Sequence, residues 1–320
     1  MARESVLVTG ISGFVGRHLA VLLSRRAGLD VHGTILSADE VPQADRLPGV
    51  KLTECRLEVR SRVEAVVRRT KPSVVYHLAA QSSVPRSLSD PEGTFSSNVM
   101  GTLHLLEALR STPHLRALVL ISSAEVYGIV PESALPLTED RNLDPTNPYA
   151  CSKACADLLG AQYFKTFSVP VIRLRPFNHI GPGQADAFAA SSFARQIAEI
   201  EAGVRAPKIL VGNLEGRRDF TDVRDIVRAY TLAADGCVPG EVYNICSGKA
   251  VRIGDVLDKL LALSSQKVEV AQDPKLMRPS DLPVLLGDCS KFKAATGWSP
   301  EIPLAQTLRD LLDYWRGRVA

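Results

Sequence analysis

The stretch that most restricts what this chain can fold into is its beginning. Ser5 to Thr9 form an apolar run of strand length, followed at once by G-I-S-G-F-V-G and an apolar-periodic segment through Leu23. Gly10, Gly13 and Gly16 supply what a strand-to-helix turn around a dinucleotide needs: a tight turn, a backbone that a pyrophosphate can approach, and a helix packed closely on its strand. Ser12, Phe14 and Val15 stand between them, and the helix N-terminus offers its N–H groups to an anion. Glycine-rich turns are common; the place of this one, between a strand and a helix at the head of an alternating pattern, makes it informative. It predicts a nicotinamide dinucleotide, NADP or NAD. After the second strand, Val31 to Ile35, Leu36 and Ser37 provide neither an acid for the ribose nor an arginine for a 2′-phosphate, so that choice stays open.

Further strands are predicted at Lys51 to Cys55, Val74 to Leu78, Ala117 to Ile121, Val171 to Arg175 and Glu241 to Ile245. Helical segments alternate with them, at Ser61 to Thr70, Thr94 to Arg110 and from Tyr149 to Phe164. The alternation predicts an α/β fold, a Rossmann-type doubly wound parallel sheet of about seven strands with ligands at the C-terminal strand edges. From Pro176 the texture changes. R-P-F-N-H-I-G-P-G-Q reads as a loop, Ser191 to Ala202 as a helix, and Asp273 to Asp288 carries three prolines and little periodicity. The expected division is a dinucleotide-binding domain over 1–175, with a returning segment at about 220–248, and a smaller C-terminal substrate-binding lobe over 176–219 and 249–320.

The chemistry concentrates between Ala117 and Lys153. A-L-V-L-I ends in Ser122, Ser123 and Glu125, which a buried parallel strand delivers to the sheet edge. Downstream, N-P-Y-A-C-S-K reads as a helix start, with Asn147 as the cap and Pro148 at the first helical position. Tyr149 and Lys153 then share one helix face toward the strand end. Of the seven tyrosines, only Tyr149 has a lysine at that offset. A phenol ionises near pH 10, too high for work at neutrality, and an ammonium one turn away favours the phenolate. With the Ser123 hydroxyl holding a substrate oxygen, the three can move a proton on or off a carbinol or ketone oxygen. A surface tyrosine beside a solvated lysine is the plain alternative; the strand-end serine and the glycine turn weigh against it.

Composition narrows the partners. A formal charge of +3 with dispersed arginines gives no basic stripe for nucleic acid and suits a small anionic ligand. No apolar run reaches membrane-spanning length, and Met1 to Glu4 lead into the first strand without an apolar leader, so a cytoplasmic protein is expected. The six cysteines show no C-x-x-C and the histidines no H-x-x-x-H. No metal site is expected, and Cys151 and Cys155 read as helix packing residues in a reducing compartment. Arg218 and Arg278 are either phosphate clamps with paired guanidinium donors or ordinary surface ion pairs.

T-G-I-S-G-F-V-G, H-L-A-A, S-S-A-E-V-Y-G and Y-A-C-S-K, in that order, resemble the extended short-chain dehydrogenase/reductases over essentially the whole chain. R-P-F-N-H-I-G-P-G-Q, G-N-L-E-G-R-R-D-F-T-D-V-R-D, V-Y-N-I-C-S-G and R-P-S-D-L-P-V-L-L-G-D resemble the GDP-mannose branch. That branch holds GDP-mannose 4,6-dehydratases and GDP-4-keto-6-deoxy-D-mannose reductases. The resemblance implies Tyr149 as proton donor or acceptor, Lys153 lowering its pKa and binding the nicotinamide ribose, and Ser123 on the sugar C4 oxygen. It implies cofactor contacts along Gly10 to Gly16, at Leu78, Ala79 and Ala80, and at Asn98 beside the lysine, with Pro176 and Phe177 lining the nicotinamide. Where relatives often carry an adenine-binding aspartate after the third strand, this chain has Arg56, which leaves that contact to neighbouring backbone at Leu57. Ser83, Asn178, Val211, Arg218 and Arg278 are expected on the sugar nucleotide.

Glu125 matches the glutamate with which a dehydratase takes the C5 proton, and reductases of the branch can retain it. No arginine pair follows the second strand, Phe220 stands where those dehydratases usually carry tryptophan, and the N-H-I-G-P-G-Q loop resembles the reductases. The reading favoured is NAD(P)H-dependent reduction of the C4 ketone of a GDP-4-keto-6-deoxy-hexose, forming GDP-6-deoxy-D-mannose (GDP-D-rhamnose). A 4,6-dehydratase is the alternative, and a non-catalytic nucleotide-sugar sensor a further one. A homodimer through a four-helix interface is the expected assembly.

Overall fold

The computed structural model describes residues 3–40, 47, 49–277 and 283–319. The first half alternates β1 (Glu4–Thr9), α1 (Phe14–Ser24), β2 (Leu29–Ile35), β3 (Val50–Glu54), α2 (Arg60–Thr70), β4 (Val74–His77), the short α3 (Val84–Ser89) and α4 (Pro91–Phe95), α5 (Gly101–Arg110), β5 (Ala117–Ile121), α6 (Pro148–Phe167) and β6 (Val171–Pro176). The second half adds β7 (Asn178–Ile180), α7 (Ala189–Glu201), β8 (Lys208–Val211), β9 (Arg217–Asp222), α8 (Val223–Gly236), β10 (Val242–Ile245), β11 (Ala250–Arg252), α9 (Ile253–Leu261), β12 (Glu269–Gln272), β13 (Val284–Leu285), α10 (Ser290–Thr296) and α11 (Leu304–Val319).

Seven strands form one sheet in the order β10-β6-β5-β4-β1-β2-β3, with every neighbour parallel. Alternation along each strand splits its side chains between two cores. Val6 and Val8 join Leu19, Leu23 and the α8 residues Ile226 and Tyr230 on one face. Leu7, Leu118 and Leu120 join Val63, Leu105 and Tyr163 on the other. Both faces being covered is why these strands read as continuous apolar runs. The chain winds outward from β1 through β2 and β3, then returns to β4 and winds the other way. Such a reversal opens a crevice at the strand ends between β1 and β4, where Thr9 and His77 are register partners. A separate core is built from α7, α9, α11 and β8 around Phe193, Ile197, Leu257 and Leu308.

Two expectations change. The helix expected over Thr94 to Arg110 is interrupted: α4 ends at Phe95 and a π-helical turn, Ser96–Met100, precedes α5. The extra residue per turn swings Asn98 inward, where its side chain reaches Ser152 of α6 and the backbone of Gln81. R-P-F-N-H-I-G-P-G-Q is not all loop, because β6 runs to Pro176 and Asn178–Ile180 form β7, paired with Phe220 to Asp222 of β9. That pairing joins segments some forty residues apart, so no local pattern announces it. Arg278 lies outside the described residues. Among those described, no helix is long and apolar enough to cross a membrane.

Candidate active site

The glycine turn sits at the crevice. Gly10 has φ +69°, and a Cβ there would stand 2.8 Å from the Cα and N of Ala79, so the first glycine is required both by its own turn and by the H-L-A-A backbone passing over it. A Cβ on Gly16 would stand 2.4 Å from the Gly10 carbonyl, which is the close helix-on-strand packing expected of the third glycine. Ser12, Phe14 and Val15 remain partly accessible around the turn, as do Leu78, Ala79 and Ala80 across the crevice, while Gly13 is exposed. Phe14 stacks on His179 with centroids 6.1 Å apart, bringing the segment after β6 against the glycine turn.

Beneath the crevice lies a polar chain that the sequence did not disclose. The Thr102 hydroxyl donates to the Asn98 carbonyl at 2.6 Å and therefore accepts from His77 Nε2 at 2.9 Å. His77 Nδ1 then accepts from the Thr9 hydroxyl at 2.8 Å, and Thr9 accepts the Ala79 N–H at 3.2 Å. Burial first, and the Lys153 charge second, lower the His77 pKa to about 3, so this imidazole is neutral at working pH.

Ser123, Glu125, Tyr149 and Lys153 converge at the end of β5. Asn147 caps α6 through the Ala150 N–H at 2.8 Å, and its amide also donates to Glu125 at 3.2 Å, so one residue starts the helix and holds the carboxylate. The Ser123 hydroxyl accepts the Glu125 N–H at 3.2 Å and is hydrogen-bonded to the Tyr149 phenol. Lys153 is 7% exposed and donates to the Ile121 carbonyl. The electrostatics differ from the expected lysine-activated phenolate. Burial, and after it the Glu125 charge, push the phenol above its ordinary value, the Ser123 bond opposing them. The Tyr149 ring keeps some surface exposed, but its enclosed hydroxyl sets the acidity. Burial lowers Lys153 from 10.5 to about 8, with Asp157 opposing. Desolvation is thus the dominant influence on both groups.

Asp157, one turn beyond Lys153, is fully buried and bonds Arg175 at 2.9 and 3.2 Å and Arg173 at 2.8 Å. Arg175 donates to the Tyr127 hydroxyl at 3.0 Å, and Tyr127 donates to Asn244 at 2.7 Å. This network ties the Tyr149 helix to β6 and to the turn carrying Glu125. Its signal in the sequence is two arginines inside an otherwise apolar strand, which a buried strand tolerates only when they are paired.

The other residues expected to contact a ligand have varied surroundings. The Asn98 side chain bonds Gln81 at 2.7 and 3.0 Å and Ser152 at 2.9 Å, so it positions the residue before Lys153, with both amide hydrogens committed. The Leu57 side chain packs in the α2/α5 core and its carbonyl accepts from His104 at 2.8 Å. The Val211 side chain, 2% exposed, belongs to the α7/α9/α11 core, so any ligand contact there is left to its backbone. Ser83 caps α3 through the Arg86 N–H at 3.3 Å, and Arg56 is exposed. Pro176 is buried at the end of β6, and Phe177 packs with Ala154, Cys246 and Leu285. Arg218 donates to the Arg217 carbonyl at 3.0 Å. Ser122 Oγ and Asn178 Oδ1 are buried with no hydrogen-bond partner among the described residues.

A hydroxyl, a phenol and an amine assembled over the switch point of a doubly wound sheet define the class: an extended short-chain dehydrogenase/reductase. A family model described as GDP-mannose 4,6 dehydratase matches residues 7–311. The GDP-6-deoxy-D-mannose reductase of Pseudomonas aeruginosa is 38% identical over 317 residues, covering 99% of this chain and 98% of that protein. The GDP-mannose 4,6-dehydratase of Yersinia enterocolitica is 28% identical over 350 residues, covering 97% and 93%. Among solved structures, RMD from Pseudomonas aeruginosa complexed with NADPH matches with TM-score 0.85 and 36% identity over 98% of this chain and all of that one. The UDP-glucose 4-epimerase of Thermus thermophilus in complex with NAD matches with TM-score 0.86 and 30% identity over 98% and 99%. The chain belongs to the GDP-mannose 4,6 dehydratase family.

Proposed function

We propose that the chain is an NAD(P)H-dependent reductase that converts the C4 ketone of a GDP-4-keto-6-deoxy-hexose to the alcohol, forming GDP-6-deoxy-D-mannose in nucleotide-sugar biosynthesis. The observation that carries this reading is the meeting of Ser123, Tyr149 and Lys153 at the end of β5, a set that can hand a proton to a ketone oxygen. The likeness across the full length, 38% to a reductase against 28% to a dehydratase, supports the same direction.

The Gly10 to Gly16 turn, at the head of α1 with partly accessible Ala79 and Ala80 opposite, fits a dinucleotide. When bound, the reduced nicotinamide supplies the hydride. Tyr149 then gives its proton to the C4 oxygen while Ser123 orients that oxygen by hydrogen bonding. Lys153 holds the nicotinamide ribose, and its charge favours the phenolate left behind. Asn178 and Arg218, with Arg278, bind the diphosphate of the sugar nucleotide, and residues 176–219 and 249–320 form the lobe that closes on it. The active unit is a homodimer packed through α5 and α6.

Mixing the protein with GDP-4-keto-6-deoxy-D-mannose and NADPH, or NADH, is expected to consume one nicotinamide per ketone reduced. Tyr149→Phe should lower kcat by about two to four orders of magnitude while dinucleotide affinity is kept. Glu125, held beside the phenol by Asn147, favours a second reading as a 4,6-dehydratase with Glu125 as the C5 base. No nicotinamide consumption, together with turnover of GDP-mannose by the protein alone, would decide for that second reading.

A further inference from the structure

Behind Phe177 lies a pair of sulfurs with no part in this chemistry. Cys246 follows β10 and has 0% of its surface exposed; Cys289 precedes α10, is partly exposed and packs against the same apolar cluster. The two side chains share that cluster, and each thiol perturbs the acidity of the other. The surrounding backbone has little slack. A Cβ on Gly287 would stand 2.7 Å from the Cys246 sulfur, and the Gly287 N–H points to Asp219 at 3.5 Å. The same buried carboxylate accepts the N–H of Ser247 at 2.7 Å and of Gly248 at 2.9 Å, so the segments bearing both cysteines are tied to one anchor.

We propose that Cys289 and Cys246 form a redox-active pair that a peroxide oxidises to an intramolecular disulfide, weakening the hold on the sugar nucleotide. The Cys289 thiolate attacks a peroxide oxygen, the O–O bond breaks, and Cys289 becomes a sulfenic acid as hydroxide leaves and is protonated to water. Cys246 sulfur then attacks Cys289 sulfur, the S–O bond breaks, and the departing hydroxide leaves as water with the Cys246 proton. Two electrons pass from the two thiols to the peroxide, which ends as two waters. The order of attack follows from access, since Cys289 is the partly exposed sulfur that a peroxide can reach and Cys246 is fully enclosed, and the Cys289 thiol is also the one lowered.

Cys151 and Cys155 are also neighbours, but on one turn of α6, where Cβ atoms stand about 5–6 Å apart, beyond the roughly 3.5–4.5 Å that a disulfide spans. They serve as an internal control. The effect on substrate rests on the proposed function: β13, which leads into Cys289, pairs with Arg217 and Arg218 of β9, so a link at Cys289 pulls on the strand expected to grip the diphosphate.

The full-length protein is reduced with dithiothreitol, desalted, exposed to hydrogen peroxide, and its thiols counted with Ellman's reagent in denaturant. Two of the six thiols should be lost, peptide mapping should join Cys246 to Cys289, and dithiothreitol should restore all six. Cys289→Ser and Cys246→Ser should each form no internal link. Six thiols surviving peroxide, or a link between other cysteines, would overturn the proposal. In the oxidised enzyme the sugar-nucleotide KM should rise several-fold with dinucleotide KM unchanged, and an unaltered sugar-nucleotide KM in fully linked protein would also overturn it. If reduced enzyme shows no reductase turnover, the functional reading has failed instead, and thiol count with peptide map judges the pair without any substrate.

Discussion

Lys153 carries the clearest consequence at the scale of single residues. Its folded pKa, near 8, lies below the unfolded value of 10.5, so the unfolded chain binds the extra proton between those limits and stability rises as pH climbs from about 8 to 10.5. At pH 7 the buried ammonium costs about 3 kcal/mol. Lys153→Met should therefore stabilise the protein at pH 7, by about 1–2 kcal/mol once the lost bond to the Ile121 carbonyl is subtracted, while reductase turnover collapses. Denaturant unfolding at pH 7 checks the first half; a destabilised variant would refute it. For the native enzyme, kcat/KM should fall as pH rises through about 8, where the ammonium that supports the phenolate is lost. The spacing of Tyr149 and Lys153 was legible in the sequence because both stand on one helix. The direction of their acidities was not, because desolvation is set by everything that encloses them.

At the scale of elements, two short junctions hold the site. Gly10→Ala would place a side chain at φ +69° and 2.8 Å from the Ala79 backbone, a strain of about 1–3 kcal/mol relieved only by opening the crevice. The expected result is a lowered melting temperature together with a dinucleotide Kd raised by an order of magnitude or more, read from nicotinamide fluorescence. Asn147→Ala removes the cap of α6 and the donor to Glu125. About 1 kcal/mol of stability should be lost in thermal unfolding, with the larger effect on turnover. Both junctions could be read from residue types in order, glycines after a strand and Asn-Pro before a helix. The π-helical turn at Asn98 and the β7–β9 pairing could not, since each exists to satisfy partners on distant segments: Gln81 and Ser152 in one case, Phe220 to Asp222 in the other.

At the scale of the whole molecule, the apolar surface left on α6 and beside α5 bears on assembly. Leu158 is 58% exposed and Met100 43%, on helices whose opposite sides pack inward. If the native chain runs as the proposed dimer, a double variant, Leu158→Asp with Met100→Asp, should run as a monomer by light scattering. A native monomer would contradict the proposed four-helix interface.

The amino-acid sequence by itself determined the parallel sheet, the glycine turn and the phenol–amine pair, because strand and helix periods and spacings of a few residues are local properties carried by every segment. Only the tertiary structure decided that burial raises the Tyr149 phenol, that Asn98 serves Ser152, that the Val211 side chain faces a core, and that Cys246 and Cys289 share one cluster. Each of these depends on which atoms, distant along the chain, displace water from around a side chain.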